Sequence, residues 1–255
     1  MHSAHKPDST IGLRTYHLRR FAETFVDRDP WALTLDDLAT WLGAHQWKAE
    51  TMRSYRASLR QFYGWAHVTG RIPENPAGLL PSITPPRGRP RPAPEDIYRA
   101  AIAAAADPRV QLMLELAGRL GMRRGEIARA RADHLEHDAD GVVMRVLGKG
   151  DVVRLVPVGD TLAARLRRWP HRGYLFPGQV DGHISPAYVG KLVSHALPEE
   201  WTAHSLRHRF AGRAYTADRD IRAVQELLGH ASVRTTQIYT PVPTGALRAA
   251  VAAAA

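Results

Sequence analysis

The sequence predicts a two-domain, mainly α protein with one small antiparallel three-stranded sheet. Three observations carry this prediction. Helical periodicity fills residues 9–80 without a strand-like run, and a stretch with six prolines in fourteen residues, 81–94, then interrupts it. The second half holds three short β-patterned runs, two of them flanking Gly148-Lys149-Gly150-Asp151, a tight hairpin signal. A chain of 255 residues is long enough to bury two cores.

The elements follow in order. Ser9 or Thr10 caps a first helix to about Val26, with Leu13, Tyr16, Leu18, Phe21 and Phe25 as its apolar positions. Thr34-Leu-Asp-Asp37 reads as a capping box opening a short helix to Trp41 or Leu42. A longer helix from about Lys48 to Val68 sets Tyr55, Leu59, Phe62 and Ala66 on one face and Arg53, Arg56 and Arg60 roughly opposite. Those arginines are either a solvated face or a row of phosphate contacts. Trp31, Trp41, Trp47 and Trp65 read as core rather than as a base-stacking platform. The domain thus spans 1–80. The linker of 81–94 carries Arg87, Arg89 and Arg91, either as a plain spacer or as a strap along a phosphate backbone.

The second domain, 95–255, opens with helices from Glu95 to about Ala106 and from Val110 to Leu120. Strands are expected over Asp133–His137, Val142–Leu147 and Val152–Val158, then helices near 160–169, 186–196, 204–216, 221–228 and 232–240, and an Ala-rich end that reads as a last helix.

Composition narrows the function classes. A formal charge of +10 favours a polyanionic partner, nucleic acid first. Of the 35 cationic residues, 31 are Arg; the lysines are Lys6, Lys48, Lys149 and Lys191, so each Lys invites a reason. Cysteine is absent, which excludes disulfides, thiolate metal sites and a Cys nucleophile. Neither a secretory leader nor a long apolar run is present, so a cytoplasmic, soluble protein is expected.

The chemistry-bearing residues cluster late in the chain. His204-Ser-Leu-Arg207-His208, Leu228-Gly-His230 and Thr235-Thr-Gln-Ile-Tyr239 supply imidazoles, a guanidinium and a phenol. On a helix, 204, 207, 208 and 211 share a face while Leu206 and Phe210 pack on the other. A phenol attacks at neutral pH when a neighbour takes its proton and cations hold its target. Gly121-Met-Arg123-Arg-Gly-Glu126 adds a second Arg at the end of an apolar helix, with Glu126 on nearly the same face, which also suits a structural Arg–Glu pair.

Taken in sequence, Leu120-Gly-Met-Arg123-Arg-Gly-Glu126-Ile, Leu147-Gly-Lys149-Gly, His204-Ser-Leu-Arg207-His208 and Leu227-Leu-Gly-His230 through Tyr239-Thr resemble the tyrosine recombinases of the phage-integrase and Xer class over about residues 9–243. The resemblance implies a helical core-binding (SAM-like) domain, a linker and an α+β catalytic domain. It lacks the arm-site DNA-binding domain of many large phage integrases, which implies a compact form. Tyr239 would be the nucleophile forming a 3′-phosphotyrosyl bond, Arg123 and Arg207 the clamp on the non-bridging oxygens, His204 the proton acceptor and His230 a phosphate hydrogen-bond partner. Lys149 would protonate the leaving 5′-oxygen, which an Arg holds its proton too tightly to do. Glu126 would orient an active-site His or Arg. No metal or other cofactor is implied. The implied partner is double-stranded DNA at specific sites, bound by a homotetramer, with an accessory directionality factor as a further possible partner and a location on the nucleoid. Phage or mobile-element integration and excision is the first role; Xer-type dimer resolution, a type IB topoisomerase-like activity and a silent DNA-binding protein are the alternatives.

Overall fold

The structure is a computed structural model that describes residues 8–84, 91–148, 152–170 and 172–229. Its contacts divide the chain into two compact units, Met1–Gly88 and Arg89–Ala255.

The first unit is built on three helices, α1 (Asp8–Ala22), α2 (Leu35–Gly43) and α3 (Ala49–Val68). Helix α1 ends earlier than Val26, and Glu23–Phe25 form a 3-10 turn instead. Thr24 and Val26 are poor helix formers ahead of Asp29-Pro30, and the last turn tightens accordingly. Phe21 is buried, whereas Leu13 and Tyr16 are exposed, so the apolar stripe of α1 is narrower than its sequence suggests. The capping box at α2 is present: the Asp37 N–H donates to Thr34 Oγ1 and the Thr34 N–H to the Asp37 carboxylate at 2.8 Å.

Tyr55, Leu59, Tyr63 and Ala66 form the buried stripe of α3, with Tyr63 in the place expected for Phe62. The Tyr63 hydroxyl donates to Pro30 O at 3.0 Å, and Phe62 sits at the edge, stacked on Trp31. Trp41 is buried among Phe21, Trp47 and Tyr55, as core packing requires. Trp31 and Trp65, in contrast, are surface residues at 38% and 47% exposure.

The second unit wraps around α5 (Pro108–Arg119), whose Leu112, Met113, Leu114, Leu116 and Ala117 are all buried. Helix α4 (Glu95–Ala104) lies against it, and Gly118 leaves room for Tyr98, since a Cβ there would lie 2.4 Å from the ring. A short helix α6 (Arg124–Ala128) leads through a 3-10 turn, Ala132–His134, into strands β1 (Leu135–His137), β2 (Val142–Leu147) and β3 (Val153–Pro157). The sheet is antiparallel in the order β1-β2-β3, with Leu147 opposite Val153. Strand β1 thus begins at Leu135 rather than Asp133, which is tied instead to Arg131 at 2.8 Å.

Helices α7 (Asp160–Arg167), α8 (Pro186–His195), α9 (Ala203–Asp218) and α10 (Ile221–Leu228) complete the unit, with a short strand β4 (Pro177–Val180) between α7 and α8. Helices α8 and α9 pack on α5, and α10 reaches both α9 and β3. The last contact brings the sheet against α10; Arg154 on β3 also bonds Glu126 of α6 and Leu227 O of α10. The expected helices at 232–240 and at the C-terminus lie outside the described residues.

Candidate active site

Helix α5 stops at Gly121, which adopts φ +62°; a Cβ there would lie 2.4 Å from Phe210 Cδ1 and 3.1 Å from Leu228 Cδ2. Only glycine combines that backbone with so close an approach of α9 and α10. Arg123 is therefore not the end of α5, as the sequence suggests, but the residue that opens α6. Its N–H donates to Glu126 Oε2 at 2.8 Å and its guanidinium to Oε1 at 2.7 Å.

Arg207, on α9, is 2% exposed and donates to the carbonyls of Gly121 and Leu228, the latter at 2.6 Å. These acceptors fix the plane of the guanidinium. Glu126 Oε2 lies 3.8 Å from it. His204 occupies the first turn of α9, where its N–H meets the Thr202 cap. Loss of hydration, then the positive charges of Arg207 and Arg123, push its pKa below the usual imidazole value. The ring is consequently neutral at pH 7 and able to accept a proton. Arg123, His204 and Arg207 line one cleft of about 710 Å³, together with Arg124, Thr202 and Lys191.

Glu126 is buried at 4% exposure. Burial alone would raise its pKa, yet hydrogen bonds and charge from Arg154, with those from Arg123, hold it below the ordinary carboxylate value. Arg154 is the residue that motif reading missed. It sits on β3 in phase with the inward-facing Val156, while Val153 and Leu155 point outward at 50% exposure each. An arginine in the inward register of a strand was the legible signal. Arg129, at the end of α6, is a second such residue and donates to Leu147 O and Gly148 O, both at 3.2 Å, at the base of the hairpin.

That hairpin is closed by Gly148 N–H donating to Val152 O at 2.8 Å. Lys149, His230 and Tyr239 lie outside the described residues, as do Arg87 and Arg89. Of the other candidate DNA contacts, Arg53 is exposed beside Glu50, whereas Arg56 donates to Leu80 O and Arg60 to Ala77 O and Gly78 O. The latter two thus pin the chain that leaves α3. Arg91 is exposed, its guanidinium over the Trp201 ring and its N–H donated to His208 Nδ1 at 3.1 Å.

That bond requires an unprotonated Nδ1. Burial, with the neighbouring His204 and Arg207, pushes the His208 pKa down to about 4. A folded-state pKa below that of the free imidazole means that protonation favours unfolding. The stabilisation is complete above about pH 6.5 and is lost toward pH 4, on the order of 3 kcal/mol in all. Urea unfolding at pH 7.5 and pH 5 is expected to show lower stability at pH 5, with a smaller difference in His208→Asn.

The chain matches the phage integrase family over residues 94–244. It is 34% identical over 207 residues to the tyrosine recombinase XerC of Xanthomonas axonopodis pv. citri (strain 306), covering 75% of this chain and 67% of that protein. With XerC of Chromohalobacter salexigens it shares 33% identity over 249 residues, 88% of this chain and 81% of that one. It spans 61% of the length of three other XerC relatives. Among solved structures, the XerH site-specific recombinase bound to palindromic difH substrate in a post-cleavage complex superposes with a TM-score of 0.74 at 21% identity, over 94% of this chain and 78% of that one, which shows the shared fold. The chain belongs to the phage integrase family, the tyrosine-type site-specific recombinases.

Proposed function

We propose that the chain cuts and rejoins double-stranded DNA at specific sites with Tyr239 as nucleophile. One observation carries this reading: the His204 imidazole shares a cleft with the guanidinium groups of Arg123 and Arg207. The Tyr239 phenol oxygen attacks the phosphorus while His204 takes its proton. The bond from phosphorus to the 5′-oxygen breaks, and Lys149 gives that oxygen its proton. The 3′-phosphotyrosyl bond conserves the phosphodiester, so a 5′-hydroxyl reverses the step without ATP. Arg123 and Arg207 neutralise the non-bridging oxygens as their charge grows, with His230 as a further donor. Glu126 orients Arg123.

Arg53 and the linker arginines Arg87, Arg89 and Arg91 contribute salt-dependent backbone contacts, and Arg56 and Arg60 act by holding the segment beyond α3. A tetramer assembled on DNA, on the nucleoid, completes the reading. The XerH complex with its difH site supports duplex DNA as partner. Relatives named XerC favour Xer-type dimer resolution at least as strongly as phage or mobile-element integration.

The test is covalent capture. The protein is mixed with sheared genomic DNA of its source, denatured, and the fragments still attached are sequenced. Enrichment of a single locus, dependent on Tyr239, is the expected result. Adducts spread without site preference would indicate a type IB topoisomerase-like enzyme instead. Salt-dependent binding with no adduct would leave a silent DNA-binding protein.

A further inference from the structure

Among the described residues, the one carboxylate of Glu126 serves three guanidinium groups. Arg154 takes both its oxygens, Nη1 to Oε1 at 2.9 Å and Nη2 to Oε2 at 2.7 Å. Arg123 reaches Oε1 at 2.7 Å and Arg207 lies 3.8 Å from Oε2. The Arg154 Nε donates to Leu227 O at 2.8 Å, near the end of α10. Gly229 follows at φ +60°, and a Cβ there would lie 3.1 Å from Arg154 Cδ. One side chain, 7% exposed, thus joins β3, the start of α6 and the end of α10.

Stability alone does not explain an arginine here. A buried ion pair is often no better than well-packed apolar residues of the same volume. A site for an anion has a different need: its cations must not be consumed by a carboxylate of their own. Three positive charges against one negative leave a surplus of two, and Arg154 is the cation that engages Glu126 by both oxygens. Arg123 keeps its side chain 41% exposed to the cleft.

We propose that Arg154 is a positioning residue, which occupies Glu126 so that Arg123 and Arg207 present their guanidinium groups to a bound phosphoryl group. This rests on the functional reading above for the identity of that group as a DNA phosphate. The charge logic separates it from a scaffold role. In Arg154→Gln the surplus falls to one and Glu126 is released to draw Arg123 and Arg207 away. In Arg154→Gln/Glu126→Gln the surplus of two returns. Arg154→Lys keeps the charge without the two-pronged bond.

The experiment measures single-turnover cleavage and, independently, the affinity for inorganic phosphate of the full chain, with the melting temperature recorded for every variant. Arg154→Gln is expected to lose about 10-fold or more in rate, by analogy with the loss when a residue that orients a metal ligand is removed, and to bind phosphate more weakly. The double variant is expected to exceed Arg154→Gln in both. A double variant no better than the single would overturn the proposal and leave Arg154 a scaffold residue. Should Arg154→Gln prove unfolded, Arg154→Lys takes its place: it is expected to retain phosphate binding, and failure to do so would overturn the proposal. Phosphate affinity keeps the two readings distinguishable. A wild type that forms no adduct, yet follows the predicted order of phosphate affinities, contradicts the DNA-cleavage reading and upholds the role of Arg154. A wild type that forms adducts without that order does the reverse.

Discussion

Glu126→Ala is expected to lower the stability of the second unit by about 3–5 kcal/mol, the cost of leaving a buried charge without its partner. The charge in question is Arg154, whose side chain is 7% exposed and makes both its carboxylate bonds to Glu126. Its remaining bond, to Leu227 O, offers no countercharge. The same substitution frees the N–H of Arg123, the residue that opens α6. Because Arg154 also touches the end of α10, the damage is not local to one helix. Urea unfolding followed by circular dichroism measures it, and a loss of less than about 1 kcal/mol, the range of an exposed pair, would show that the buried pair is not what holds these segments together.

Arg207→Ala is expected to reduce cleavage about 10²–10³-fold, the effect of removing a donor aimed at charge that develops in the transition state. Arg207→Lys is expected to recover little. The guanidinium donates through two nitrogens at once, to Gly121 O and Leu228 O, and an ammonium cannot span both carbonyls and still face a phosphate. Single-turnover cleavage of a mapped site gives the rates. Activity of the lysine variant within a few-fold of wild type would mean that charge alone, and not a fixed fork, is what the site requires.

The sequence carried the local structure well and the long-range pairing poorly. The capping box of Thr34 and Asp37 and the extent of α3 depend on neighbours a few residues apart, and both are present as expected. The hairpin was legible for the same reason, since two short apolar runs flank Gly148-Lys149-Gly150-Asp151 in the sequence, and they pair as β2 and β3. Arg207 and His204 were placed on one face by helical spacing alone, and they line one cleft. What spacing could not supply is the identity of partners distant in the chain. Glu126 meets Arg154, 28 residues away, and Arg207 meets Gly121, 86 residues away. Tertiary packing likewise turned Arg56 and Arg60 toward the carbonyls of 77–80, where the helix face alone suggested solvent or phosphate. Gly121 is a further case: its motif was visible, but its need for a positive φ arises from how α9 and α10 close over it.

The direct test of the catalytic assignment is a suicide substrate, a duplex of the captured site nicked so that the cleaved strand diffuses away and religation is prevented. Wild type is expected to accumulate a covalent adduct that survives denaturation and whose DNA is linked through its 3′ end to the peptide containing Tyr239. Tyr239→Phe is expected to form none while still binding the duplex. Equal adduct yields from the two proteins, or a linkage mapped to any other residue, would contradict it.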